Sequence, residues 1–153
     1  MGWHDYLIEE DEGLRQILQN VRNIAVIGIK DEAHENEAAH SVPKYLHSMG
    51  YTIIPVNPKY HSVFGKPCYA SIVDVAEPVD AVLIFRKPGN VLKHAEEILT
   101  MDHKPQVVWM QTGIRNMEAA KKLAKAGIKV VQDHCMYMEH LRLVRHPIQA
   151  AAG

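Results

Sequence analysis

The chain has 153 residues, 47% of them hydrophobic and 23% charged, enough for one domain over residues 1–153 with a buried core. Its 17 Lys and Arg against 18 Asp and Glu leave no global field to draw it onto nucleic acid or an anionic membrane, so a polyanion would have to meet a local patch. No apolar run approaches a membrane span, Met1–Glu12 carries acids where a secretory signal carries cations, and Cys68 and Cys135 are too few for a disulfide framework, which together predict a cytoplasmic protein with no membrane or nucleic-acid partner.

In chain order, Leu14, Ile17, Leu18 and Val21 fall on one face of a helix over Glu12–Val21, followed by an apolar strand, Asn23–Ile29. A second helix over Ala39–Met49 requires Pro43 in its first turn and has Gly50 as its stop. Strand Tyr51–Val56 leads into an irregular stretch, Asn57–Ala70, with a short strand near Val63 and then a helical turn from Ser71. Strand Val79–Phe85 precedes a helix capped by Asn90 and running to about Met101. Strand Gln106–Met110 precedes a helix from Asn116 to Ala126 that stops at Gly127, and strand Ile128–Gln132 precedes a last helix opened by Cys135. The strands are nearly continuous apolar runs, as in sheets covered on both faces. Their alternation with helices predicts a Rossmann-like three-layer α/β sandwich with a mainly parallel sheet of five or more strands.

In such folds ligands bind beyond the carboxyl ends of the strands. Those ends are Gly28–Ala39, Asn57–Tyr60, Arg86–Asn90, Gln111–Asn116 and Asp133–Met136. After the first strand, Gly28, Ile29 and Lys30 can offer backbone N–H groups to a phosphate, although the full G-x-G-x-x-G fingerprint is missing; alternatively, Gly28 serves only a tight turn. After the second strand stand Asn57, Pro58 and Lys59, where an NAD-binding unit places a carboxylate for the ribose. A cation there suits a phosphorylated ribose, as in coenzyme A or NADP. Pro58 stiffens the loop enough to hold an adenine against its backbone.

Seven segments carry a resemblance: VIG at Val26–Gly28, KYL at Lys44–Leu46, GYTIIPVNPKY at Gly50–Tyr60, GKPCY at Gly65–Tyr69, VDAVLIFRKP at Val79–Pro88, VVWMQTG at Val107–Gly113 and DHCMYMEHLRL at Asp133–Leu143. On these the chain resembles the small, stand-alone proteins of the CoA-binding domain family, which are similar to the nucleotide-binding domain of the succinyl-CoA synthetase α subunit. The resemblance implies coenzyme A or an acyl-CoA as ligand. It places pyrophosphate near Gly28, Ile29 and Lys30, adenosine near Val56, Asn57, Pro58 and Lys59, and a further contact at Phe85, Arg86, Lys87 and Pro88. Gln111 and Gly113, at the next strand end, and Cys135 complete the candidate set for the ligand's arm. Ile29 and Lys30 depart from the small residue and Ser common in relatives, and His134 stands where relatives often carry Arg.

A ligase of the succinyl-CoA synthetase type needs a phosphorylatable His and a second nucleotide-binding module, so the expectation is a non-catalytic carrier, sensor or regulatory module, acting with a protein partner or as a homo-oligomer. The alternatives are an NADP-binding oxidoreductase and a redox-active thiol protein using Cys135, whose place at a helix start favours the thiolate. A buried structural thiol is the competing account of Cys135. Neither His34/His40 nor His134/His140 has the i, i+4 spacing that joins two rings on one helical face, so no metal site is assigned. Trp109 and Phe85 read as core residues.

Overall fold

The computed structural model describes residues 2–148. Its central sheet contains β1 (Asn23–Ile27), β2 (Thr52–Val56), β5 (Ala81–Ile84), β6 (Val107–Met110) and β7 (Lys129–Val131), all parallel, in the order β2-β1-β5-β6-β7. A two-residue-per-strand antiparallel hairpin, β3 (Ser62–Val63) and β4 (Lys66–Pro67), forms inside the long loop after β2. The five predicted principal strands and the extra strand near Val63 are therefore all present.

Pleating sends alternate strand residues to opposite faces. Ile24 and Val26 join one core with Leu83 and Trp109, covered by α1 (Asp11–Asn20), α2 (Ala38–Ser48) and α5 (Met136–Leu143). Ala25 and Ile27 face the second core with Val82 and Val108, under α3 (Val91–Leu99) and α4 (Met117–Lys125). Continuous apolar strands follow from this double covering, because each face must be kept from water.

Both sheet edges are occupied. Lys66 Nζ donates to the Ile53 carbonyl at 3.0 Å and the Tyr69 N–H to the Pro55 carbonyl at 3.0 Å, so β2 offers little free ladder. Pro55 is tolerated there because an edge strand can dispense with a donor. At the other edge a short helical turn, Trp3–Tyr6, brings in Leu7 and Ile8, whose N–H donates to Val130 O at 2.9 Å. No helix among the described residues is long and apolar enough to cross a membrane.

Two local expectations are corrected. Pro43 is the sixth residue of α2, not part of its first turn. Proline at that place leaves the Ala39 carbonyl without its helical donor. The Lys30 N–H fills it at 3.1 Å, tying the loop after β1 onto the helix. Asn90 precedes α3 but makes no side-chain cap bond, whereas Asn116 caps α4 as predicted, its Oδ1 accepting the Ala119 N–H at 3.0 Å.

Candidate functional site at the carboxyl edge of the sheet

Chain direction reverses between β1 and β5: from β1 the chain winds outward through α2 to β2, and from β5 the other way through α3 to β6. The two loops leave on opposite faces, and a crevice opens between them.

Gly28 stands at its floor with φ +85°, and a Cβ there would lie 2.1 Å from the Phe85 carbonyl oxygen. The glycine is thus demanded by the approach of two backbones. Its N–H donates to Val56 O at 2.9 Å and the Lys30 N–H to Ala39 O, so neither of these two expected phosphate donors is free. Ile29 is fully buried in the core, backbone as well as side chain. Lys30 Nζ is paired with Glu37 at 2.5 Å; Glu37 also accepts from His34, and the two partners hold its carboxyl below the usual range.

After β2, Asn57 is buried and acts as a clamp. Its Nδ2 donates to Ile29 O at 2.8 Å, its Oδ1 accepts the Lys59 N–H at 2.9 Å, and its own N–H donates to Tyr69 O at 2.8 Å. Every polar group of that side chain is used internally, which leaves Pro58 and Lys59 turned outward on a fixed turn. Cys68 Sγ donates to the Asn57 carbonyl at 3.4 Å, and burial pushes its thiol up.

Two clefts meet at β1 and β5. The first, of about 380 Å³, has an apolar wall of Ile27, Val56, Pro58 and Ile72, and a polar wall of Ser71, His94 and Glu97. The second, an open trough of about 540 Å³, runs over Gly28 and Ala39 past Phe85, Lys87, Pro88 and Ile114. Arg86 and Asn90 border both. The Arg86 guanidinium lies over Gly28, its Nη1 3.4 Å from the position a Cβ would take there. Among the described residues Lys59, Arg86, Lys87 and Lys93 make no ion pair with a carboxylate. A near-neutral chain thus concentrates unpaired cations at one edge, the local patch that its overall charge leaves as the only route to an anion.

On the polar wall, Ser71 Oγ donates to Glu97 Oε2 at 3.3 Å and the His94 Nδ1–H to Glu97 Oε1 at 3.2 Å. The serine is bonded to the carboxylate, not to the imidazole, so the trio lacks the serine–base contact of a nucleophilic triad. Burial, reinforced by Arg86 and Lys93, holds the His94 imidazole below its ordinary value despite Glu97.

The remaining candidates sit elsewhere. Gln111 is buried, its Oε1 accepting the Met136 N–H at 3.2 Å, and the Gly113 N–H donates to Asp133 Oδ1 at 2.6 Å. Cys135 stands before α5, partly buried against the core that holds Trp109. These three line neither cleft. Trp109 is fully buried, its indole N–H donating to His134 O at 2.8 Å, as its core reading expects. His40 is buried, its Nδ1–H donating to Lys30 O at 3.0 Å, and His140 is buried beside the Tyr45 hydroxyl at 2.7 Å.

Sequence reasoning missed the contribution of α3 and of the turn at Ser71. Asn90, Lys93, His94 and Glu97 are spaced i, i+3, i+4 and i+7, a polar stripe on one helical face that begins at the strand end. That spacing was the available signal.

A family model described as a CoA binding domain matches residues 22–141. The uncharacterized protein YneT of Bacillus subtilis is 35% identical over 127 residues, covering 83% of this chain and 91% of that protein. The acetate–CoA ligase (ADP-forming) I of Archaeoglobus fulgidus is 30% identical over 123 residues, 75% of this chain but only 18% of the ligase. A solved structure, cell-free ID.343 from Thermus thermophilus, superposes with a TM-score of 0.81 at 41% identity, covering 88% of this chain and 99% of that one.

Proposed function

This chain belongs to the CoA binding domain family, and on that premise we propose that it binds coenzyme A or an acyl-CoA across the crevice between β1 and β5, as a carrier, sensor or regulatory module. The observation that carries the reading is Arg86, a half-buried guanidinium without a carboxylate partner among the described residues, lying over Gly28 where the two clefts join. A half-buried, uncompensated cation is costly, and a pyrophosphate seated against it would relieve that cost. The ligand's two halves would then extend from Arg86 in opposite directions. The adenosine enters the cleft walled by Val56 and Pro58, which puts the 3′-phosphate of the ribose toward Lys59. The pantetheine follows the trough past Lys87, Pro88 and Ile114.

Binding without chemistry is supported by the polar wall of the first cleft, where the serine is committed to a carboxylate rather than activated by a base. Titration calorimetry with coenzyme A tests the reading. Wild-type protein should bind, and Arg86→Ala should bind about ten- to a hundredfold more weakly, the worth of a charge-assisted hydrogen bond. Equal affinity in the variant would remove Arg86 from the site. Acetyl-CoA incubated with the protein should be recovered with its thioester intact; turnover would make the protein an enzyme.

A further inference from the structure

The first cleft is asymmetric in a way that binding an anion does not require. Its apolar wall of Val56, Pro58 and Ile72 suits the face of a flat ring, and its opposite wall sets a carboxylate, Glu97, among donors. Glu97 is held there by Ser71 on one oxygen and His94 on the other. A carboxylate accepts and never donates while ionised, and each of its oxygens has a second lone pair to offer. His94 gives its Nδ1–H to Glu97, which fixes the tautomer and leaves Nε2 as a second acceptor when the ring is neutral. Burial and the neighbouring Arg86 and Lys93 favour that neutral form. Glu97 and the His94 Nε2 therefore present acceptors to the edge of a ring lying against Pro58, beside the donors Asn90, Lys93 and Arg86 that line the rest of the cleft.

We propose that Glu97 is a specificity-determining residue that reads the exocyclic amine of an adenine base, with Ser71 and His94 as the positioning residues that aim its carboxylate. This deepens the proposed coenzyme A site and rests on the placement of adenosine in the first cleft. An amine carries two protons and can satisfy the acceptors facing it. A purine with a carbonyl in the same place turns an acceptor, not a donor, toward the carboxylate, which has no proton to give it.

The test compares adenosine 3′,5′-bisphosphate, the nucleotide portion of coenzyme A, with inosine 3′,5′-bisphosphate, in which a carbonyl replaces the amine and N1 carries a proton. Calorimetry on the wild-type protein should show the adenine nucleotide bound at least about tenfold more tightly. In Glu97→Gln, whose amide can turn a donor or an acceptor to the ring, the ratio should collapse toward one, chiefly through tighter inosine binding. Ser71→Ala should reduce the ratio while both nucleotides still bind, because the carboxylate is then less firmly aimed. Equal affinities in the wild type, or an unchanged ratio in Glu97→Gln, would overturn the assignment while coenzyme A binding stands. If neither nucleotide nor coenzyme A binds, both the assignment and the site fail. The wild-type comparison decides the matter even if a variant folds poorly.

Discussion

Single residues at the strand ends divide into those that build the loops and those left free to meet a ligand. Asn57 is buried with its side chain fully engaged, Gln111 is buried with its Oε1 bonded to the Met136 N–H, and Gly28 is set by backbone contact, so their substitution should register first in stability. Gly28→Ala must place a methyl group 2.1 Å from the Phe85 oxygen at a φ of +85°. It should cost at least about 2 kcal/mol in urea unfolding, and a wild-type midpoint would refute the close approach. Lys59 is the opposite case, exposed on a turn that Asn57 holds. Lys59→Ala should weaken coenzyme A about three- to tenfold, a modest effect because solvent screens an exposed ammonium. Dephospho-CoA should lose little. Equal losses by calorimetry would place the 3′-phosphate away from this residue.

Elements are aimed at the crevice by bonds between their ends. Pro43 frees a carbonyl in α2 and that carbonyl secures Lys30, so a residue that ordinarily weakens a helix here joins the helix to a loop. Asn116 does two things: Oδ1 caps α4, and Nδ2 donates to Pro88 O at 2.9 Å, tying the loop after β6 to the loop after β5. Asn116→Ala should cost about 1–2 kcal/mol by chemical denaturation. Asn116→Asp retains the capping oxygen but loses the donor to Pro88, so it should keep most of the stability and still weaken coenzyme A binding. Loss of stability in Asp equal to that in Ala would show that the cap is not what Asn116 contributes.

Across the whole molecule, stability should depend on pH through two imidazoles, His140 in the core and the half-buried His94. Burial holds His94 and His140 below the ordinary 6.5, so the unfolded chain binds protons at these sites more readily than the folded one. The stabilisation is complete above pH 6.5 and is lost as pH falls through the lower folded values. His140 is fully buried and its Nε2 has no hydrogen-bond partner among the described residues, so protonating it inside the core is unfavourable. The melting temperature should therefore be level from pH 8 to 7 and fall between about pH 6.5 and 5, and His140→Phe should flatten part of that fall. An unchanged slope in the variant would exclude His140. Asp11, Glu32, Glu37 and Asp133, whose carboxyls sit below their usual values, contribute a separate loss at more acid pH.

The five principal strands, the helices between them and the doubly covered sheet were legible in the chain's order of residues, because apolar periodicity, caps and turn residues are local signals read within a few residues. The VNPK turn and the strand ends around it also carried the family. Only the tertiary structure decided which strand-end residues converge. Gln111, Gly113 and Cys135 lie after β6 and β7 on the far side of β5, where Gln111 and Gly113 bond to the loop after β7. Arg86, Asn90, His94 and Glu97 share the crevice with Pro58 because the strand order brings β5 beside β1. That adjacency is a long-range pairing, stabilised by cores on both faces of the sheet. No stretch of the chain encodes it locally, so the polar stripe of α3 became the wall of a cleft only once β1, β2 and β5 stood side by side.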